Sequence, residues 1–363
     1  MKTLHSLFTV ILISSAIPTT AQDPRPISSV PTPPPLSVAD LPDPYPWGAR
    51  IGRSEFVPLQ FSVDLDRLAP LGTSSGNGAE WFADFSKIIG PRVSEYQTAQ
   101  SSTVTWRDDG RDRKVLPPAH KLLLEAESYV DTSQWSFYPE VYPWTGPSTP
   151  IANLLFALQL GRSWVARGQN SADDALALED YRRSIRLGRL LLQDDVIYIQ
   201  NLIGIHLVRT GAEAIYLFAR ERGDGATAAF AALVLQDCAV LRLEGYRRFN
   251  EIAIFSDFVA RLDTEDDGDR IELRLPDDRL DVLVRIATED PNRSFRIEAT
   301  TPLWITSHIG TARQRELAGK TLGGMVDDPD DLVATAAAEL MARTFDAKDI
   351  ESHWQISKPA HSR

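Results

Sequence analysis

Between Ile151 and Leu192, two amphipathic helical patterns flank a short polar turn, and small residues fall where the two helices would touch. Leu154, Leu158, Gly161, Trp164/Val165 and Gly168 lie along one stripe, and Leu178, Tyr181, Ile185, Gly188 and Leu192 along the other. Two such stripes bury each other, so the segment predicts an antiparallel helical hairpin. Gly161 lets the partner helix come close, and Trp164 and Tyr181 fill the space beside it. Ser171-Ala172-Asp173-Asp174 matches a capping box, with Ser171 accepting from the N–H three residues on, which starts the second helix near Ala172.

The same periodicity predicts helices over Ala79 to Ile89, Pro118 to Tyr129, Val196 to Arg220, Ala226 to Leu243 or beyond, and Asp331 to Phe345. Val57 to Val63 alternates like a strand, Gly72 to Gly78 reads as a Gly/Ser loop, and Ile271 to Leu275 is matched to Phe295 to Ala299 as a short strand pair. The fold class is therefore mainly α, with antiparallel hairpins stacked as a bundle or short solenoid and at most a minor β element.

Met1-Lys2, the apolar run Leu7 to Ile13 and Thr19-Thr20-Ala21 have the three parts of a secretory signal, so residues 1–21 are read as a signal peptide and the chain as exported, periplasmic or extracellular. Left uncleaved, the same run would be a membrane anchor. Residues 22–47 are Pro-rich and read as an extended linker. Residues 48–150 form an irregular and helical segment with an aromatic loop, 151–248 a helical-hairpin core, and 249–363 a C-terminal helical region with acidic loops. Past the signal no apolar stretch of spanning length stands out, so the mature chain is expected to be soluble. With 38 basic against 50 acidic residues and a net charge of -12, a nucleic-acid partner is disfavoured, because phosphate neutralisation needs a basic surface. The single Cys238, set among Val234, Leu235 and Leu241, is expected in the core.

Leu160-Gly161, Trp164 and Gly168 in the first helix of the hairpin, with Ala177, Tyr181 and Ser184 in the second, resemble the tetratricopeptide repeat (TPR) family. The likeness covers one helix-turn-helix unit, with an echo at Ile203-Gly204, Leu207 and Gly211. It implies a TPR-like helical scaffold that holds another protein. The wider run, with Leu122-Leu123, Trp135 and Leu187-Gly188-Arg189, also looks like exported bacterial helical proteins.

Candidate chemistry is sparse. Asp173-Asp174, Asp194-Asp195, Asp277-Asp278 and Asp330-Asp331 each precede an apolar periodic run, where carboxylates favour the positive end of a helix, and read as helix starts. Asp263 to Asp269 begins like a calcium loop, but Arg274 stands at the twelfth position where a bidentate Glu is required, so it reads as an acidic loop. Gly72-Thr73-Ser74-Ser75-Gly76 satisfies G-x-S-x-G without the preceding strand that a nucleophile elbow needs. His206, inside an apolar helix, reads as a core or boundary residue. No zinc motif or Walker loop occurs, and neither metal nor cofactor is expected.

Trp135, Phe137, Tyr138, Tyr142 and Trp144, on a segment broken by Pro139 and Pro143, are the candidate ligand-binding residues, since aromatic faces on a stiff loop suit sugars or peptides. The leading expectation is an exported scaffold for protein or cell-envelope contacts. The alternative is a secreted enzyme acting on an extracellular polymer through an acidic cleft and the aromatic loop.

Overall fold

The computed structural model describes residues 56, 58–80, 105–106, 113–114, 121–136, 154–260 and 275–345. Within them the chain is mainly helical. The elements are β1 (Ser74–Asn77), β2 (Thr105–Trp106), β3 (Arg113–Lys114), α1 (Lys121–Val130), β4 (Thr132–Gln134), α2 (Leu154–Gln169), α3 (Asp174–Asp194), α4 (Tyr198–Glu221), α5 (Gly225–Ala260), α6 (Asp277–Glu289), α7 (Arg293–Ile309), α8 (Ala312–Met325) and α9 (Asp331–Met341). Neighbouring helices α2 to α5 pack in sequence, α6 to α9 pack around α7, and α7 also meets α4 and α5. The helix α5 runs unbroken through the 248/249 boundary placed from the sequence.

The predicted hairpin is α2 and α3. Trp164 and Tyr181 are buried in it, as are Ile185, Leu187 and Leu191. Its closest approach involves α4 as well. A Cβ on Gly161 would collide with Leu207 of α4 and stand 3.1 Å from Ser184 Oγ of α3. Gly188 and Gly204 face each other so tightly that a Cβ on either would lie 2.5 or 2.8 Å from the other's carbonyl oxygen, and a Cβ on Gly211 would sit 2.7 Å from Tyr181 O. These glycines let α3 and α4 touch backbone to backbone, which maximises dispersion contact along the seam.

A charged tie closes the other side of the hairpin. Arg167 of α2 donates to both oxygens of Asp180, at 2.7 and 2.6 Å, and to Glu127 of α1 at 2.6 Å, while Arg183 donates to Asp180 at 2.9 Å. Asp180 is fully buried and would be costly without these partners. On another face of α3, Arg182, Arg186 and Arg189 reach the carbonyls of Leu68, Pro70 and Ala69 at 3.0, 2.8 and 2.5 Å. Their spacing puts all three on one helix face, where they hold the chain that leads into β1.

Several local expectations change. The segment 58–63 is not a strand, because the N–H groups of Ser62 and Val63 are taken at 2.7 and 3.3 Å by the carboxylate of Asp237 on α5 instead of by a neighbouring strand. The Gly/Ser loop contains β1, which pairs in parallel with β4. Ser74 Oγ donates to the carbonyl of Asp131 there, so it is a strand residue fixed to its neighbour. Phe295 to Ala299 lies inside α7, with Phe295, Ala299 and Leu303 buried at helical spacing, and the strand pair expected with Ile271 to Leu275 does not form. Residues 271–274 lie outside the described residues, as do the acidic loop from Asp263 to Asp269 and most of the helix expected over Ala79 to Ile89.

The capping-box reading shifts by two residues. Asp173, not Ser171, is the N-cap of α3 and accepts from Ala175 and Leu176 at 2.8 and 3.2 Å, while Ser171 Oγ accepts from the N–H of Asp173 at 3.0 Å. The Asp173 carboxylate reaches two of the free N–H groups directly, and the helix starts at Asp174. Asp330 caps α9 the same way, and Asp277 opens α6. Cys238 is buried, and burial pushes its thiol up to about 12.

Among the described residues two helices are long and apolar enough to cross a membrane by length and composition, α4 and the portion of α5 up to Ile252, where the sequence reading found none. In α4 61% of the qualifying window is buried inside the protein; in α5 the share is 33%.

Candidate functional site

Several strongly perturbed ionisable groups gather where the α3–α4 turn meets the start of α7. Asp195, the residue that ends α3, has φ of 43°, a left-handed conformation that Asp tolerates better than most side chains. Its Oδ1 accepts from Asn201 Nδ2 at 2.5 Å and from Ser294 Oγ at 2.7 Å, and its Oδ2 accepts from the Arg293 N–H at 3.0 Å. The last of these satisfies the first N–H of α7. That helix needs an outside cap, because its own N-cap residue Asn292 makes no side-chain cap bond and turns its Oδ1 to the Leu59 N–H at 2.9 Å and Arg248 at 3.1 Å.

The converse bond runs back from α7. Glu298 Oε1 accepts the N–H of Tyr198 at 2.7 Å, the first residue of α4, whose N-cap Ile197 has no side chain able to do so. Residues from the two helix starts thus cap each other across about 100 positions of sequence. Desolvation pushes the Glu298 carboxyl up to about 8, and the Asp195 charge adds to the rise. A neutral carboxyl still presents a carbonyl oxygen to Tyr198 N–H, so the cap survives protonation.

Around this pair the joint is completed by arginines. Arg248 of α5 reaches Asp290 at 3.2 Å with both side chains almost wholly buried. Burial pushes Asp290 up to about 6 in spite of that partner and lowers Arg248 from its usual range. Arg296 donates to the carbonyl of Asp290 at 2.8 Å and pairs with Asp328 at 3.3 Å, while Arg293 donates to the carbonyl of Asp194 and pairs with Asp330 at 3.4 Å. Tyr198 is buried between Phe249, Phe295 and Tyr246, at centroid distances of 5.4, 4.9 and 6.4 Å. Burial raises its hydroxyl well above its ordinary range.

Chemically, Asp195 and Glu298 accept from helix N-termini and Asp290 accepts from the N–H of Asn292 at 2.9 Å, so each carboxylate organises backbone, while Glu298 Oε2 and Asp290 Oδ2 are buried with no hydrogen-bond partner among the described residues. That is the work of a joint between helical layers. The sequence reading took Asp194-Asp195 for a helix start of the usual local kind. Instead Asp194 closes α3 and Asp195 caps a helix 98 residues downstream. Asp290 and Glu298 escaped notice because nothing in their local spacing marks them; the unusual density of Asp, Asn and Arg from Asp290 to Arg296 was the available signal.

Of the aromatic candidates, Trp135 is 3% exposed and belongs to the same core as Leu123 and Ala126, with a Cβ on Gly78 placed 3.1 Å from its ring. Burial makes it a packing residue, unavailable as a ligand platform. Phe137, Tyr138, Tyr142 and Trp144 lie outside the described residues. His206 is half-buried on α4, its Nε2 3.4 Å from Arg162 Nη2 of α2. Among the described residues no group of three or more His, Cys, Asp or Glu is arranged to hold a metal ion. Comparison with protein-family models, with curated proteins and with solved structures finds no match.

Proposed function

We propose that this chain is an exported, TPR-like helical scaffold that holds a protein partner through the outer face of α5. The observation that carries the reading is the mismatch between what α5 is made of and what covers it. An 18-residue window of it is apolar enough to belong in a core, yet only 33% of that window is buried. Leu233 and Val240 are 48% and 46% exposed and stand seven residues apart, hence on one stripe, with Ala226, Ala229 and Gln236 exposed beside them. The one charge between Ala226 and Val240 is Asp237, whose carboxylate is taken by the Ser62 and Val63 N–H groups at the edge of that stripe. A helical face with so little charge fits an apolar face on a helix of a partner protein, laid along it as helices lie in grooves. The rigid joint described above supports the same reading, because a binding face on one helix is useful only if its neighbours hold it still.

The test is capture from a native envelope fraction by the purified chain and by the variant Leu233→Glu/Val240→Glu, whose solvent-facing changes leave the circular dichroism unchanged. The reading expects an envelope protein retained by the natural chain and lost from the variant. Nothing above background, or equal capture by both, overturns it. Sedimentation of each chain alone distinguishes the other occupant: self-association lost in the variant assigns the face to a second copy.

A further inference from the structure

Residues 58–64 belong to no helix or strand, yet their side chains alternate as a strand's do. Leu59, Phe61 and Val63 are half-buried and pack on the core, while Pro58, Gln60, Ser62 and Asp64 are exposed. The wall they lie on is a helix. The Arg67 guanidinium stands 4.1 Å from the Phe230 ring centroid, Ser62 and Val63 donate to Asp237, and the Arg248 guanidinium stands 5.6 Å from the Phe56 centroid. Phe230, Asp237 and Arg248 follow one another at whole numbers of helical turns, so they form one stripe of α5, beside the outer face that carries Leu233 and Val240. As the segment advances from Phe56 to Arg67 it meets α5 in reverse, over about 27 Å at 1.5 Å per helical residue. The facing wall is α6 and the start of α7, where the Arg285 guanidinium stands 5.2 Å from the Phe56 centroid and Asn292 Oδ1 accepts the Leu59 N–H at 2.9 Å.

Side chains of the helical body thus read the backbone of an extended segment. Asp237 alone accepts from the N–H groups of Ser62 and Val63 at 2.7 and 3.3 Å and from Ser62 Oγ at 2.8 Å. Among the described residues no backbone–backbone bond ties 58–63 to the rest of the protein. Acceptors for main-chain N–H groups, set over a surface that takes alternate apolar side chains, suit any extended peptide of that pattern. The hold on the segment is uneven. Leu65, Leu68 and Ala69 are buried and three arginines of α3 grip the carbonyls of 68 to 70, whereas no residue from 58 to 63 is buried. The first half can open while the second stays, since local opening is easiest where few buried apolar contacts and exposed hydrogen bonds hold the chain.

We propose that residues 58–63 are a strap that fills, in cis, a peptide-binding groove walled by α5, α6 and the start of α7. When the strap lifts, the groove takes an extended segment of a partner protein with apolar residues at alternate positions. The strap is then an autoinhibitory contact. The groove is separate from the α5 outer face, so either can hold without the other.

The experiment follows a fluorescently labelled synthetic peptide of residues 56–64 by polarisation. It is titrated with the purified full chain, with Leu59→Asp/Phe61→Asp, and with that variant carrying Asp237→Asn as well. The proposal expects saturable binding to the strap variant, at least tenfold weaker binding to the natural chain, whose own strap competes, and at least a tenfold loss on adding Asp237→Asn. No saturable binding to the folded strap variant, equal binding of a scrambled peptide, or indifference to Asp237→Asn overturns it. Sedimentation of the natural chain covers the other occupant: association with concentration that vanishes in the strap variant gives the groove to the strap of a second copy and overturns the partner reading. Should the strap variant fail to fold, hydrogen exchange of the natural chain decides. The N–H groups of Leu59, Ser62 and Val63 are expected to exchange at least a hundredfold faster than the buried amides of α4, and equal rates overturn the proposal.

Discussion

Along α4, the face turned to α3 is backbone against backbone, while the end turned to α7 is charge against charge. At the first contact Gly188 and Gly204 leave no room for a methyl group, and the stabilisation comes from close packing. At the second, Asp195, Asp290 and Glu298 are taken out of water and held by helix N–H groups and by Arg248, Arg293 and Arg296. The packed seam tolerates no added volume and is indifferent to pH. The polar joint accepts small changes of shape but depends on every partner and on protonation. A helix anchored in both ways has its position fixed by sterics on one side and by hydrogen-bond direction on the other.

The largest effect separating the two comes from the joint. Arg248→Ala leaves Asp290 buried without its cation, and urea unfolding is expected to show a loss of about 3–5 kcal/mol, the usual cost of breaking a buried pair. Next comes the seam, where Gly204→Val drives a branched side chain into Leu192 and the Gly188 carbonyl. A loss of about 3 kcal/mol is expected from the same measurement. Gly323→Ala on α8, where a Cβ would meet nothing within 4 Å, should instead gain up to about 1 kcal/mol from helix propensity. If Gly204→Val behaves like Gly323→Ala, the seam is not as tight as described.

The third effect is the pH dependence that only the joint should have. Glu298 is pushed up to about 8 in the folded chain, whereas an unfolded Glu titrates near about 4.3. Between those values the folded state keeps a proton that the unfolded state releases. Stability from this group therefore falls as pH rises through the window, by at most about 1.4 kcal/mol per pH unit, and levels off above about 8. Urea midpoints of Glu298→Gln measured from pH 5 to pH 8 should fall less steeply than those of the natural chain; identical slopes would place the proton elsewhere. The smallest effect is local. Asp173→Ala removes the α3 N-cap and is expected to cost about 1 kcal/mol, seen as a small drop in the thermal midpoint.

The glycines of the seam were legible in the sequence, but that the helix they admit is α4 was not, and the joint was not legible at all. Gly161, Gly188 and Gly204 sit at helical spacing inside apolar stripes, a pattern that local periodicity exposes, and Trp164 and Tyr181 mark where the volume they leave is filled. The joint is assembled from residues about 100 positions apart, each unremarkable among its neighbours, so its existence follows from the way α7 docks and not from any local pattern. Asp194-Asp195 shows the limit well: an acidic pair before an apolar run does cap a helix, but the helix is α7. Trp135 shows another, since flanking prolines describe how a segment bends and say nothing about which of its rings the core will take.

Hydrogen–deuterium exchange of the natural chain and of Asp290→Asn tests the central claim, that the joint makes the helices from α3 to α7 one cooperative unit. Weakening the joint should raise exchange together in the first turns of α4 and α7, although Asp290 itself lies on neither. Faster exchange confined to the end of α6 and the start of α7, with α4 unchanged, would contradict it.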